Sequence, residues 1–302
     1  MINNLDDIKK KFGKKIIINA SLAKYSWFNL GGPAELLFKP ENIIDIQEFF
    51  KITHKNLYPL TIMGAGSNTL IRDAGVGGIT IKLSPKFSYV NKLSENKIEV
   101  GAATLDRTVS NFASDNGLSG FEFLSCIPGT IGGGIRMNSG CFNREFKDIL
   151  ISVQAINRSG EIFTIPAKEI NFDYRSCNLS KDLVFLSASF QGTKKQKEKI
   201  KEEMIILKEK KEKSQPTRIK TGGSTFKNPI KQTNKKVWEI IKESVPGEIS
   251  FGDATISEKH CNFFINKDKA SCSDMKKLIN FVQKKVFDTT GIRLSLEIIL
   301  VE

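Results

Sequence analysis

Residues 117–140 read GLSGFEFLSCIPGTIGGGIRMNSG, and the ten in the middle, Ser125-Cys126-Ile127-Pro128-Gly129-Thr130-Ile131-Gly132-Gly133-Gly134, decide how the chain is parsed. Four glycines and a proline among ten residues are poor material for the interior of a strand or a helix. Glycine loses the most backbone entropy on ordering, and proline removes a donor and clashes with the preceding turn. The stretch is therefore expected to be a loop, with a tight turn at Pro128-Gly129 and bare backbone at 132–134 open to a flat or phosphorylated ligand. About sixty residues upstream lies a second loop, Gly64-Ala65-Gly66-Ser67-Asn68, directly after the apolar run TIM at 61–63. Small consecutive residues let backbone N–H groups converge on an anion. Position 69 is Thr and no helix pattern opens there, so this is not the dinucleotide fingerprint; no Gly-Lys-Ser/Thr follows, so it is not a P-loop. Each loop alone could be an ordinary turn. Together they point to one extended ligand touched in two places.

Outward from the loops, residues 43–55 have a helical pattern, with Ile43, Ile46 and Phe50 on one face. Short apolar stretches at 78–83 and 97–101 read as strands. Residues 104–116 read as a helix capped by Thr104, with Leu105, Val109 and Phe112 inward and Gly117 as the stop. Residues 151–157 and 161–165 flank Arg158-Ser159-Gly160 as a hairpin, and 183–190 reads as a further strand. Helices are expected near 235–243 and 273–290, and a strand closes the chain. Strands and helices alternate without a regular βαβ rhythm, so the fold class is α+β.

The 302 residues carry 46 Lys and Arg against 33 Asp and Glu, a net charge of +13. The densest basic stretch, 194–213, mixes nine Lys with five Glu, and Ile200, Met204 and Leu207 recur on one face. That is an amphipathic surface helix rather than a nucleic-acid stripe, and no aromatics are interleaved for stacking on single strands. The longest stretch without a charge, 56–71, contains Pro59, Gly64 and Gly66 and is shorter than the ~20 apolar residues a spanning helix needs. No apolar signal core opens the chain. Five Cys without CxxC spacing suit free thiols in a reducing cytoplasm. With two His, His54 and His260, a His-rich metal site or a Ser-His-Asp triad is disfavoured, and no metal is expected.

Seven segments, taken in order, carry a resemblance over nearly the whole chain: YSWFNLGGPAE (25–35), IMGAGSNTLIRDAGVGG (62–78), GLSGFEFLSCIPGTIGGGIRMNSG (117–140), NFDYRSC (171–177), GGSTFKNP (222–229), ATISEKHCNFFIN (254–266) and SLEI (295–298). The chain resembles the UDP-N-acetylenolpyruvoylglucosamine reductase family, flavoenzymes of peptidoglycan precursor synthesis, in its shorter form. The resemblance implies a two-lobed FAD-binding domain of the vanillyl-alcohol oxidase (PCMH) type over 1–192, its lobes split near 85–90. A linking Lys/Glu helix over 193–213 and a C-terminal α+β substrate-binding domain over 214–302 follow. By motif, FAD contacts fall to Gly64, Gly66, Ser67 and Asn68, and to Ser125, Ile127, Pro128, Gly129, Thr130 and Gly132. No His or Cys stands in GAGSN, so the flavin is expected to be non-covalent. Cys126, Cys141, Asp253 and Cys261 are mild departures from the family pattern.

The implied reaction reduces UDP-N-acetylglucosamine enolpyruvate to UDP-N-acetylmuramate, with NADPH as co-substrate. The two nucleotides take turns in one site, in a cytoplasmic monomer without nucleic-acid or membrane partners. Hydride addition to the vinyl ether puts negative charge beside a carboxylate, so the site needs a fixed flavin, a cation and an acid. Arg175, in the Tyr174-Arg175 motif, matches the family arginine whose guanidinium can bind both carboxylate oxygens. Ser224, after Gly222-Gly223, matches the proton donor, and Lys227 is a plausible cation to steady its alkoxide. Glu297 matches the C-terminal glutamate; Leu294, Leu296, Ile298 and Leu300 point one way along RLSLEIILVE and Glu297 the other. Repulsion from the substrate carboxylate calls for a proton or a water at Glu297. Tyr174, Lys227 and Asn228 are the further substrate contacts.

Overall fold

The computed structural model describes residues 2, 5–53, 56–245 and 247–302. The chain divides into two compact units: 1–18, 36–65 and 78–211 form the first, and 19–35, 66–77 and 212–302 the second. The sequence suggested contiguous domains meeting at the Lys/Glu helix. The units instead interleave, because Phe28, Leu30 and Leu70 are buried with Phe226, Phe264 and Val286 in the second unit's core. Gly64 thus belongs to the first unit, and Gly66, Ser67 and Asn68 to the second.

The first unit holds two apolar cores. One gathers Phe12, Phe38, Phe49, Phe50 and Phe87. The Phe38 and Phe49 rings stack at 4.1 Å, and Phe12 meets both edge-on at 5.3 and 5.6 Å. Each ring buried this way contributes about 1.5–3 kcal/mol of hydrophobic stabilisation. These side chains come from the helices Leu5–Phe12 and Ile43–Thr53 and from a sheet ordered Ile16–Ser21, Pro33–Phe38, Val76–Ile81, Leu60–Ile62. The last two strands pair in parallel. Ile46 and Phe50 are buried as the periodicity predicts; His54 and Lys55, at the end of the expected helix, lie outside the described residues.

The other core, around Phe121, Phe123, Phe146 and Phe190, is laid on an antiparallel sheet ordered Ile162–Pro166, Leu150–Ile156, Val184–Gln191, Lys97–Gly101, Val90–Lys92. The expected hairpin is there, turning through Gly160 at φ +81°. The helix Lys197–Ser214 buries Ile200 and Met204 and leaves its Lys and Glu side chains largely in solvent.

Two expectations fail here for physical reasons. The helix read over 104–116 runs Asp106–Asp115, and Thr104 does not cap it. The Thr104 hydroxyl instead takes the Tyr89 N–H at 3.0 Å and donates to the Tyr89 carbonyl at 3.1 Å, while Leu105, expected inside, is half exposed. The second correction concerns the glycine run, which is helical: Ile131–Arg136 is a short helix containing Gly132, Gly133 and Gly134. Packing overrides propensity, since a Cβ on Gly134 would lie 2.3 Å from the Phe146 ring, and one on Gly132 would lie 3.3 Å from Ala102.

The second unit is an antiparallel sheet ordered Thr221–Ser224, His260–Asn266, Ala254–Ser257, Ser250–Phe251, covered by the helices Val237–Ser244 and Cys272–Thr290. The long helix has explicit ends. Ser271 and Asp274 form a reciprocal capping box at its start, and Gly291 closes it in the left-handed conformation at φ +73°. Asp73, from 66–77, adds its carboxylate to the same N-terminus, accepting from the N–H of Cys272 at 2.7 Å and Ser273 at 2.9 Å. Close by, Thr69–Ile71 pairs in parallel with the closing strand Ile299–Val301.

Candidate active site

In the first unit the two glycine-rich segments meet. A Cβ placed on Gly64 would sit 2.5 Å from Thr130 Oγ1. The backbone of the second segment is pinned to residues 102–106: Asp106 N–H donates to the Gly129 carbonyl at 3.1 Å, and Ile131 and Gly132 donate to Thr104 and Ala102 at 2.9 Å each. Gly129 has no room for a side chain, because its Cβ would lie 2.6 Å from Asp106 Oδ2. The result is a close-packed cradle of partly buried backbone with no room for a side chain at Gly64 or Gly129.

Two residues that motif reading missed flank this cradle. Lys82 donates to the Gly64 carbonyl; burial, and then the charge of Lys39, pull its ammonium below the usual lysine range. Asp106 is fully buried, and neither carboxylate oxygen has a hydrogen-bond partner. Burial alone pushes its carboxyl well above the ordinary range, which favours the protonated form. Lys82 ends an apolar run and Asp106 opens a helix, so neither carries a signal in sequence spacing.

Tyr174 and Arg175 form the tip between the paired strands Phe172–Asp173 and Ser176–Cys177. Arg175 has φ +57°, a strained backbone for a residue with a side chain, of the kind that clusters at functional sites. Its guanidinium donates to the Gly140 carbonyl at 2.8 Å, lies 3.8 Å from Glu145 Oε1, and sits 4.9 Å from the Tyr174 ring centre. Glu145 is held in turn by Asn138, whose amide donates to Glu145 Oε2 at 3.1 Å and to the Asp173 carbonyl at 3.3 Å. Asn138 is fully buried and left-handed at φ +41°. It lies in the quoted RMNSG segment, but only the fold reveals what it touches.

The second unit brings Asn68, Ser224 and Glu297 together. Ser224 ends its strand after a bulge at Gly222-Gly223. Gly222 is packed so tightly that a Cβ would lie 2.3 Å from the Phe28 ring, and Gly223 has φ +78°. The next residue, Thr225, donates to the Asn262 carbonyl at 2.7 Å and accepts from Glu297 N–H at 2.8 Å. Asn262 also clamps Phe226, with its side chain bonded to that residue's N–H at 3.0 Å and carbonyl at 2.9 Å. Asn68 donates its amide to the Glu297 carbonyl at 3.0 Å, and its own carbonyl takes Ile299 N–H at 2.8 Å. Glu297 is half-buried. Gly66 has φ +71°, and a Cβ there would run into the Tyr25 carbonyl at 1.8 Å. Asn228 spends its side-chain oxygen on Val237 N–H at 3.0 Å, capping a helix, and Lys227 N–H is held by the Ser295 carbonyl at 2.9 Å.

The comparisons fit this geometry. Residues 34–166 match the family described as "FAD binding domain", the segment that contains both glycine-rich loops. With that cradle, the chain is an FAD-dependent oxidoreductase. Residues 215–301 match "UDP-N-acetylenolpyruvoylglucosamine reductase, C-terminal domain". A reductase of that name from Pelagibacter ubique is 54% identical over 298 residues, spanning 98% of both chains. One from Rickettsia bellii is 42% identical across 98% of this chain and 95% of its own. The crystal structure of UDP-N-acetylenolpyruvylglucosamine reductase from Thermus caldophilus superposes with a TM-score of 0.80 at 28% identity, covering 95% of this chain and 98% of that one. The chain belongs to the UDP-N-acetylenolpyruvoylglucosamine reductase family.

Proposed function

We propose that this enzyme reduces UDP-N-acetylglucosamine enolpyruvate to UDP-N-acetylmuramate, holding FAD without a covalent bond. In this reading NADPH is the electron source, and it alternates with the sugar nucleotide in one site of a cytoplasmic monomer. The observation that carries the reading is the 2.8 Å bond from Glu297 N–H to the Thr225 carbonyl, which sets Glu297 and Ser224 on adjoining stretches of backbone.

Bound FAD supplies the hydride chemistry at the substrate's terminal methylene. The chain's own residues do the rest. Negative charge developing on the neighbouring carbon spreads into the carboxylate, where the fork of Arg175 binds it. The Gly140 carbonyl and the Glu145–Asn138 pair fix that fork before substrate arrives. Ser224 gives its hydroxyl proton to the carbon. A weak acid suffices, because an enolate carbon is strongly basic, and Lys227 steadies the alkoxide left behind. Glu297 orients the substrate beside the acid, and Asn68 holds the Glu297 backbone in place. The FAD contacts named from the motifs, Gly64, Gly66, Ser67 and Asn68 with Ser125, Ile127, Pro128, Gly129, Thr130 and Gly132, take the cofactor in this reading.

Anaerobic stopped-flow absorbance separates the two half-reactions. Ser224→Ala is expected to leave reduction by NADPH within about twofold of the parent and to slow reoxidation by the enolpyruvyl substrate by about 10²–10⁴, the usual contribution of a positioned general acid. Reoxidation at the parental rate would remove Ser224 from that role.

A further inference from the structure

The hairpin that holds Arg175 ends in an aromatic side chain that the fold leaves exposed. Gly140–Cys141 pairs with Arg144–Glu145, with Cys141 opposite Arg144, so two residues, Phe142 and Asn143, make the turn. Both are left-handed, Phe142 at φ +51° and Asn143 at φ +62°. The favoured two-residue hairpin turn has φ > 0 at both central positions, which is why Asn-Gly suits it best. Asn143 fits its place, because a short polar side chain tolerates the left-handed region. Phe142 does not. A bulky residue is an outlier there, with its Cβ crowded against the carbonyl that follows. Burial does not offset this strain: Cys141 and Phe146 pack with the apolar core of the first unit, whereas Phe142 is 42% exposed.

The base of the hairpin is fixed, so the turn is carried at a set place. Gly140 has no space for a side chain, since a Cβ would lie 2.2 Å from the Arg144 carbonyl oxygen and 2.8 Å from Glu145 Cγ. Glu145 N–H donates to Asp148 Oδ2 at 2.9 Å, and the Asn138 amide donates to Glu145 Oε2 at 3.1 Å. The Gly140 carbonyl and the Glu145 carboxylate both meet the Arg175 guanidinium, at 2.8 and 3.8 Å. Phe142 therefore stands two residues along the chain from the atom that steadies Arg175. Backbone strain kept without a gain in packing is a mark of function rather than of folding.

We propose that Phe142 is a substrate-binding residue, its ring packing on the carbon skeleton next to the carboxylate that Arg175 binds. The inference rests on the reading of Arg175 given above and adds an apolar contact to that site. The chemistry suits the ligand. An enolpyruvyl ether of a sugar presents C–H faces and a flat conjugated group beside its charges, and an exposed aromatic ring gains by covering them. Arg175 alone would hold the carboxylate and leave the rest of the group free to swing. A ring on a braced turn restricts that swing.

The test uses the full-length, FAD-loaded protein. Calorimetric titration with UDP-N-acetylglucosamine enolpyruvate, with no NADPH present so that nothing turns over, reads the substrate dissociation constant. Phe142→Ala and Phe142→Gly should each raise it about tenfold, and Phe142→Tyr should stay within about twofold of the parent. Phe142→Ala removes the ring and keeps the left-handed strain, so its thermal midpoint should stay within about two degrees of the parent, the range of a surface substitution. Phe142→Gly relieves the strain and should unfold above Phe142→Ala. In stopped-flow reduction of the flavin, the apparent NADPH dissociation constant should stay within about twofold of the parent in both variants. Substrate affinity within twofold of the parent in Phe142→Ala and Phe142→Gly overturns the proposal, and so does a loss for NADPH as large as the loss for substrate. A larger fall in the Phe142→Ala midpoint also overturns it, because the ring would then be packed on protein. Failure of the parent itself to bind would remove the functional reading together with the proposal, whereas a parent that binds and variants that bind equally well remove the proposal alone.

Discussion

Gly64→Ala tests the flavin cradle at its narrowest point. Gly64 does not need its backbone freedom, since it is absent from the positive-φ residues, so alanine changes only the space a methyl group occupies. That methyl would lie 2.5 Å from Thr130 Oγ1, about an ångström inside ordinary contact. Thr130 has little room to retreat. It is buried and β-branched, and its carbonyl takes Gly134 N–H at 2.8 Å at the start of the short helix. Overpacking of this kind costs about 1–3 kcal/mol. Strain at the point where the two loops meet falls on the conformation that receives the cofactor, so the FAD dissociation constant should rise about 5- to 150-fold. Quenching of flavin fluorescence on titration into the deflavo-protein measures it. Thr130→Ala in the same chain removes the obstructing atoms, and adding Gly64→Ala to Thr130→Ala should then cost much less affinity than adding it to the parent. Affinity within twofold of the parent in Gly64→Ala, or an equal cost of Gly64→Ala in the parent and in Thr130→Ala, would refute the steric argument.

Three further outcomes follow from particular contacts. Asn68→Leu removes the donor from the Glu297 carbonyl, a loss of about 1–3 kcal/mol; kcat for the substrate half-reaction should drop at least fivefold and by more than flavin reduction does, and equal slowing of both half-reactions would show that the bond to Glu297 does not matter to the substrate step. Asp73→Ala deletes a carboxylate bonded to two N–H groups at the start of the Cys272–Thr290 helix, so thermal unfolding should shift down by several degrees, at about 1–2 kcal/mol for a charged N-terminal cap; an unchanged midpoint rules the cap out. Asp106 has a folded-state pKa raised above the unfolded value, so the native state binds the extra proton and stability falls as pH rises from about 4 toward the native value. Asp106→Asn in the deflavo-protein should therefore gain on the parent progressively as pH rises above about 4 in thermal denaturation, and parallel pH profiles would show that the carboxyl is not shifted upward.

What could be read from the sequence was what short windows contain. The faces of Ile43–Thr53 and Lys197–Ser214 and the hairpin through Gly160 each depend on spacing within a few residues, and the fold repeats them. What escaped depends on neighbours far along the chain. Glycine counts at 132–134 predict irregular backbone because propensity scores the residue alone; Phe146 and Ala102, which leave no space for a Cβ, decide the matter. Thr104 has the right chemistry for a cap, but Tyr89 takes its hydroxyl first.

The same reasoning separates two kinds of residue. Arg175, Ser224 and Glu297 are named from motifs, as the groups that meet the substrate in the proposed reaction. Asn68, Asn138 and Glu145 do their work one step away, through bonds whose partners no local pattern names: Asn68 reaches a carbonyl 229 residues on. Asn68 is the instructive case, because its motif suggests a flavin contact while its amide is bonded to the backbone of Glu297. A residue so placed can hold the loop of one motif and the glutamate of another in register, so that Gly66-Ser67-Asn68 and Ser295-Leu296-Glu297 are fixed by one side chain. Function in this unit therefore depends on a tether as well as on chemical groups, and the Asn68→Leu half-reaction rates distinguish the two.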